Sequence, residues 1–185
     1  MFRELLSAEF SPYGTLSSSQ LDALERHYRM LVHWNQKLNL TRIRNVEEAV
    51  RLHYCEALFL GLRLPPGRLR IVDVGSGAGF PGIPVAILRS ESNVDLVESH
   101  QRKAVFLREA TRGLSNVRVL ACRAEDCQNG YDWMISRAIR AGELFKRPLA
   151  PNFAILSGDS QEIPGARIER TPWGENRALF HVKHG

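Results

Sequence analysis

Apolar side chains in the first third of the chain repeat with the period of an α-helix. In residues 16–40 the spacing is three, four, three and seven, at Leu21, Leu24, Tyr28, Leu31 and Leu38. This spacing predicts one amphipathic helix, and the serines at 17–19 are candidates for its N-cap. A second helix is predicted over residues 46–62 from a similar stripe. The prolines of LPPGR, residues 64–68, then end the helical region.

Apolar runs and helical patterns alternate through the rest of the chain. Strands are predicted at residues 69–74, 94–99, 117–126, 131–138 and 152–158, and helices at 81–89 and 102–114. Such alternation predicts an α/β fold, a parallel sheet with helices on both faces. Residues 166–172 and 177–184 look extended around the loop WGEN, which predicts a terminal hairpin and an antiparallel strand at the sheet edge.

Composition and charge narrow the class of protein. The 185 residues, 44% hydrophobic, suffice for one domain with a core. The formal charge is +5, with 21 arginines and four lysines. This bias fits a polyanionic partner, although high genomic GC content would produce the same bias. The cysteines form no CxxC pair and no zinc-ligand spacing with the histidines, so we expect reduced thiols and no metal. No secretory signal or membrane span is recognisable, which predicts a soluble, cytoplasmic protein.

The stretch IVDVGSGAGFPGIPVAIL, residues 71–88, has the form of a strand, a glycine turn and a helix. Such turns bind ligands at the carboxyl ends of parallel strands. A P-loop is excluded because no Gly-Lys-Ser/Thr follows. A dinucleotide fingerprint that starts at Gly75 needs a third glycine where Phe80 stands. Asp73 before the glycines suits a cationic ligand such as S-adenosylmethionine better than a pyrophosphate.

The next two predicted strands end in further candidates for an adenosine site. Glu98 ends the second strand, where an acid is able to take ribose hydroxyls of NAD or of an adenosyl group alike. Ala124 and Glu125 follow the third strand and are able to face an adenine, although from the residues alone we favour a solvated loop for Glu125 and Asp126. These acids therefore support an adenosine without selecting the cofactor.

Seven motifs together resemble one known family. They are WNQKLNLTRI (34–43), LHYCEAL (52–58), VDVGSGAGFPGIPVAI (72–87), VESHQRKAVFLRE (97–109), CRAED (122–126), SRA (136–138) and NRALFHVKH (176–184). The chain resembles the bacterial RsmG (GidB) methyltransferases, which methylate guanine N7 in small-subunit (16S) ribosomal RNA with S-adenosylmethionine. The resemblance implies a Rossmann-like class I methyltransferase with a mostly parallel seven-stranded sheet. It also implies an N-terminal helical cap, residues 1–64, within the same domain as the cofactor-binding core, residues 65–185.

The resemblance also implies which residues act. Cofactor contacts are expected at Asp73, Gly75, Gly77, Gly79, Phe80, Glu98, Ala124, Glu125 and Arg137. Arginines linked to activity or RNA contact are expected at Arg123, Arg137 and Arg177. The implied partner is small-subunit ribosomal RNA, free or in a ribosomal particle, and we expect a monomer.

The chain departs from the family at three positions. Glu56 and Ala57 replace an Asp and a Ser, and Ser157 stands where relatives often have Lys. Guanine N7 exposes a lone pair, so no general base is predicted, and the arginines are expected to hold RNA phosphates. The alternatives are a methyltransferase with another substrate, an NAD-dependent oxidoreductase, and a non-catalytic RNA-binding protein. For Trp34 and His53 a packing role is an alternative to function, and we favour it for Trp34.

Overall fold

A computed structural model describes residues 1–137, 139, 141–158 and 162–183. Its centre is a seven-stranded sheet with the order β3-β2-β1-β4-β5-β7-β6. The strands are β1 (Arg70–Val74), β2 (Asn93–Val97), β3 (Val117–Leu120), β4 (Trp133–Arg137), β5 (Asn152–Gly158), β6 (Arg167–Arg170) and β7 (Arg177–Lys183). The first five are parallel, and β7 pairs antiparallel with both β5 and β6. The predicted mostly parallel α/β sheet with a terminal hairpin is confirmed.

The helices agree with the sequence patterns except at three places. They are α1 (Phe2–Phe10), α2 (Ser18–Leu38), α3 (Val46–Ala49), α4 (Glu56–Arg63), α5 (Gly82–Leu88), α6 (Gln101–Ala110) and α7 (Ala141–Leu144). The short helices α1 and α7 were not predicted. The single helix predicted over residues 46–62 was also wrong in detail, because a π-helix, Val50–Cys55, separates α3 from α4. Helix α2 begins as its sequence indicates, with a capping box between Ser17 and Gln20.

The third predicted strand was too long. Strand β3 ends at Leu120, and Ala124–Asp126 form a 3-10 turn instead of continuing the sheet. The chain therefore leaves the sheet four residues before Ala124, which places the turn beyond the carboxyl edge. The predicted hairpin is correct, but its second strand is inserted between β5 and β6, so the outermost strand is β6. Two motif ends, Ala138 and His184, fall outside the described residues.

The N-terminal helices pack against one face of the sheet through α5 and α6. Trp34 confirms its expected packing role, since its ring contacts Phe106 of α6. His27 of α2 is fully buried and joins this layer to the glycine turn. The boundary between residues 64 and 65 stays a prediction. No helix in the described ranges is long and apolar enough to cross a membrane.

Candidate active site

An open cleft of about 380 Å³ lies at the carboxyl ends of β1, β2 and β4. Its apolar walls are Val74, Val97, Met134, Ile139 and Leu144, and its polar lining includes Glu98, Arg123, Glu125, Glu143 and Arg147. Parallel sheets place ligands at this edge, and the volume suits a ligand of nucleoside size.

Glu98, which follows β2 directly, is one of three acidic residues that line the cleft. Its side chain is held by two backbone amides, from Gly77 to Oε2 at 2.9 Å and from His100 to Oε1 at 2.8 Å. Each carboxylate oxygen has a second lone pair, so Glu98 still accepts hydrogen bonds from a ligand. Gly77 thus contacts the predicted ribose acid and lies outside the residues that line the cleft.

Asp73 is turned away from the cleft. It is fully buried, and its Oδ2 accepts a hydrogen bond from the backbone amide of Gly82 at 2.9 Å. Oδ1 has no hydrogen-bond partner within the described part of the chain. Burial raises the pKa of Asp73 to about 7, opposed by its hydrogen bonds. In this arrangement Asp73 closes the glycine turn onto the start of α5.

The glycine turn brings the predicted residues to different places. Gly75 lines the cleft at φ +73°, and its amide donates to Val97 O at 2.9 Å. Gly79, at φ +91°, packs under His27 instead, where a Cβ atom would lie 3.0 Å from Nε2. Phe80 is buried outside the cleft, with its ring between His27 and His53.

The turn after β3 forms a further part of the cleft wall. Arg123, Ala124 and Glu125 all line it, and the side chains of Arg123 and Glu125 are exposed. The sequence left two readings of this turn open, an adenine contact for Ala124 and Glu125 and a solvated loop for Glu125 and Asp126. Glu125 is therefore both solvated and part of the cleft lining, while Asp126 is exposed and does not line the cleft.

A cluster of charged residues lies outside the cleft lining, where the end of β4 and the start of β7 meet α4. Glu56 is completely buried there. Arg177 donates to it from Nε to Oε1 and from Nη2 to Oε2, the second at 2.7 Å. Arg137, at 14% side-chain exposure, lies 3.4 Å from the same Oε2 through Nη1. Two of the three predicted arginines are therefore brought together, while Arg123 lies in the cleft.

Arg137 is the less completely paired of these two cations. Its Nη1 is buried and makes no hydrogen bond to any described residue. Burial lowers the pKa of Arg137 to about 10, with Glu56 acting against this change and Arg177 adding to it. Ile135 of β4 pairs with Asp73 of β1 in parallel register. Arg137 and Gly75 each lie two residues further along, so the register places them next to each other. The cluster thus adjoins the cleft at the glycine turn.

His53 completes the cluster as a neutral group. Burial, and then the charges of Arg137 and Arg177, lower its pKa to about 3. It also packs against Phe80 with ring centroids 5.1 Å apart. The packing role that was an alternative for His53 is observed, although it packs beside charged groups as well as apolar ones.

Sequence reasoning missed several residues of this region. Glu56 was noticed only as a departure from a family motif, and nothing in its local sequence marks it as the partner of two arginines. Met134, Glu143 and Arg147 of the cleft wall carried no recognisable pattern either. The residues that the structure describes include no cluster of His, Cys, Asp and Glu able to hold a metal.

The residues present fit an S-adenosyl group. The cleft offers apolar walls for an adenine and an acid for ribose hydroxyls. The neighbouring cluster sets one carboxylate, Glu56, against two guanidiniums, which leaves an excess positive charge beside the cleft for an anionic group. A carboxylate-bearing cationic cofactor matches both parts.

Comparison with known proteins identifies relatives over most of the chain. Residues 20–153 match the family model described as "GidB: rRNA small subunit methyltransferase G". Curated proteins named "Ribosomal RNA small subunit methyltransferase G" include one from Desulforamulus reducens, 36% identical over 67% of this chain and 55% of its own length. Another, from Nitrosomonas europaea, is 45% identical over 66% of this chain and 58% of its own length. The match thus spans little more than half the length of these relatives.

Solved structures show the same fold at low sequence identity. A SAM-dependent methyltransferase from Aquifex aeolicus superposes with a TM-score of 0.56 at 17% identity, covering 75% of this chain and 93% of its own. The protein titled "MtNAS in complex with MTA and tNA" gives 0.59 at 18% identity, covering 88% and 70%. These likenesses show the fold, and the family match over residues 20–153 establishes that the chain belongs to the ribosomal RNA small subunit methyltransferase G family.

Proposed function

We propose that this protein transfers a methyl group from S-adenosylmethionine to guanine N7 of small-subunit (16S) ribosomal RNA. The observation that carries the proposal is the pairing of an acid-lined cleft with an adjoining cluster that has one unneutralised guanidinium. Family membership supports the choice of ribosomal RNA over another methyl acceptor. A pyrophosphate-binding dinucleotide turn is disfavoured because Phe80 stands where the fingerprint that starts at Gly75 needs its third glycine.

The proposed cofactor contacts follow from the positions of the side chains. Gly75, Glu98, Ala124 and Glu125 hold the adenosine part in the cleft, and Arg137 takes the carboxylate of the methionyl part. Bound in this way, S-adenosylmethionine supplies a methyl group activated by its sulfonium. The remaining predicted residues shape the glycine turn around the cofactor: Asp73, Gly77, Gly79 and Phe80.

The chain's own residues act by orientation. Guanine N7 carries a lone pair, so no residue needs to remove a proton before transfer, and alignment of the reacting atoms provides the rate increase. His53 is unsuited to protonate the substrate because it stays neutral at physiological pH. Arg123, exposed at the cleft, is placed to bind an RNA phosphate and to guide an unstacked guanine toward the cofactor.

The proposed setting of the reaction is the bacterial cytoplasm, with a monomeric enzyme acting on free ribosomal RNA or on a ribosomal particle. The excess of arginine over lysine supports a phosphate-rich partner. Ser157, the last residue but one of β5, replaces the Lys that relatives often carry there, so RNA binding relies more heavily on the arginines.

Calorimetric titration tests the cofactor first. The full chain is expected to bind S-adenosylmethionine and not NAD, and binding of NAD alone would overturn the proposal. Deletion of the gene should leave one unmethylated guanine in 16S RNA, detected by mass spectrometry of nuclease fragments. An unchanged fragment pattern would refute the proposed substrate.

A matched pair of arginine variants tests the site. Arg137→Ala is expected to weaken S-adenosylmethionine binding and to lower methyl transfer by about tenfold or more, since a charged hydrogen bond is lost. Arg112→Ala is the control, because Arg112 is an exposed arginine paired with Glu109 on the surface. Equal activity of the two folded variants would reject the role of Arg137.

A further inference from the structure

The two arginines of the cluster differ in how they meet Glu56. Arg177 is bound by both carboxylate oxygens, and Thr171 adds a hydroxyl donor to Oε1 at 3.3 Å. Arg137 approaches only Oε2, at 3.4 Å, and makes no hydrogen bond through Nη1 to a described residue. A buried carboxylate holds its closest charged donors most tightly, so Glu56 is committed to Arg177.

The turn between β6 and β7 fixes Arg177 in this position. Gly174 lies at φ +88°, and a Cβ atom there would be 3.0 Å from Arg177 Cδ. The Thr171 amide donates to Arg177 O at 3.0 Å, which closes the turn. The stem of Arg177 therefore occupies space that only a glycine leaves open, and its guanidinium is directed at Glu56.

We infer that Arg177 is a positioning residue: by binding Glu56, it keeps Arg137 free to take the cofactor carboxylate. Arg177 then acts through Arg137 and does not itself touch the cofactor, whereas the family resemblance implied a role in activity or RNA contact. Without Arg177, the buried Glu56 needs another cation, and Arg137 is already within 3.4 Å of it. Glu56 would then capture Arg137 and remove the donor that the cofactor needs.

This inference rests on the proposed function and is tested with two probes. The first is S-adenosylmethionine, and the second is decarboxylated S-adenosylmethionine, which keeps the adenosine and sulfonium and lacks the carboxylate. Calorimetry on the full chain measures both in the wild type and in Arg177→Met, Glu56→Gln and the double variant. Thermal melts confirm that each variant is folded. A wild type that binds neither probe would refute the proposed function rather than this inference.

Arg177→Met is expected to weaken S-adenosylmethionine binding by about tenfold or more, because Arg137, captured by Glu56, no longer donates a charged hydrogen bond to the cofactor carboxylate. Binding of the decarboxylated probe should stay within about twofold, since Arg137 does not contact that probe. The double variant should regain the lost affinity, because an amide at position 56 no longer captures Arg137. Glu56→Gln alone should bind S-adenosylmethionine at least as tightly as the wild type.

Three results would overturn the inference. One is an equal loss of both probes in Arg177→Met, which indicates a general structural effect. Another is a double variant that binds more weakly than Arg177→Met, since independent defects add. The third is a tenfold loss in Glu56→Gln, which would mean that Glu56 itself holds Arg137 in its binding position. This last variant keeps the test decisive even where Arg177→Met does not fold.

Discussion

His27 is expected to make the stability of this protein depend on pH between 7 and 4. Its ring lies between two partners, with Nε2 at 3.0 Å from Ala78 O and Nδ1 at 2.8 Å from the Tyr54 hydroxyl. A carbonyl only accepts, so Nε2 carries the hydrogen and Nδ1 accepts from Tyr54. This neutral tautomer satisfies both ring nitrogens, and a proton on Nδ1 would face the hydroxyl hydrogen.

The size of the effect follows from the pKa of His27. Burial lowers it to about 4 from an ordinary value of 6.5, and the hydrogen bond to Ala78 opposes the change. As the pH falls below 6.5, His27 binds a proton in the unfolded chain but stays neutral in the folded protein until the pH approaches 4. The contribution of His27 to stability is therefore complete above pH 6.5 and is lost toward pH 4. The loss reaches on the order of 3 kcal/mol, of which about 2 kcal/mol has gone by pH 5.

Urea unfolding followed by tryptophan fluorescence measures this loss in the wild type and in His27→Gln. The variant is expected to be less stable at pH 7, because glutamine does not reproduce both hydrogen bonds. The difference should shrink by about 2 kcal/mol on going to pH 5, since glutamine does not titrate. Leu24→Val, a buried change on the same helix, should lower stability equally at both pH values. Parallel curves for wild type and His27→Gln would refute the reasoning.

Three further outcomes are expected. Gly79→Ala should lower the free energy of unfolding in urea by about 2 kcal/mol or more, because a Cβ atom at this positive φ would lie 2.5 Å from Ile83 Cδ1. Gly113→Ala is the control, since Gly113 also has a positive φ but lies in open space, and it should lower the free energy of unfolding by only about 1 kcal/mol. Tyr131→Phe should cost about 1–2 kcal/mol by urea titration, because a buried donor to a carboxylate is lost, and unchanged stability would contradict this. Burial raises the pKa of the Cys127 thiol to about 12, so iodoacetamide should label it about 100-fold more slowly in the folded protein than in urea, read by peptide mass spectrometry.

The sequence predicted correctly those features that depend on residues close together along the chain. The change from helical to strand period located the sheet, and the glycine turn located the cleft, because ligands of parallel sheets lie where strands end. Glu98 was identified by the same rule and is in the cleft lining. Local patterns were weaker for α1 and α7, and for the point where β3 ends. Short helices are held by packing more than by their own periodicity.

Charge pairing across the fold was decided by the tertiary structure alone. Glu56 and Arg177 are 121 positions apart, and they meet because β7 is inserted beside β5 while α4 packs over that end of the sheet. Asp73 shows the same limit, since its sequence position suggested a ligand contact and its carboxylate binds the backbone of Gly82 instead. The sequence was enough to predict the longer helices, the mostly parallel sheet and the sheet edge where a ligand is expected, since periodicity and strand direction are local properties. Which charged groups are free to bind that ligand depends on burial and on distant partners, and only folding brings these together.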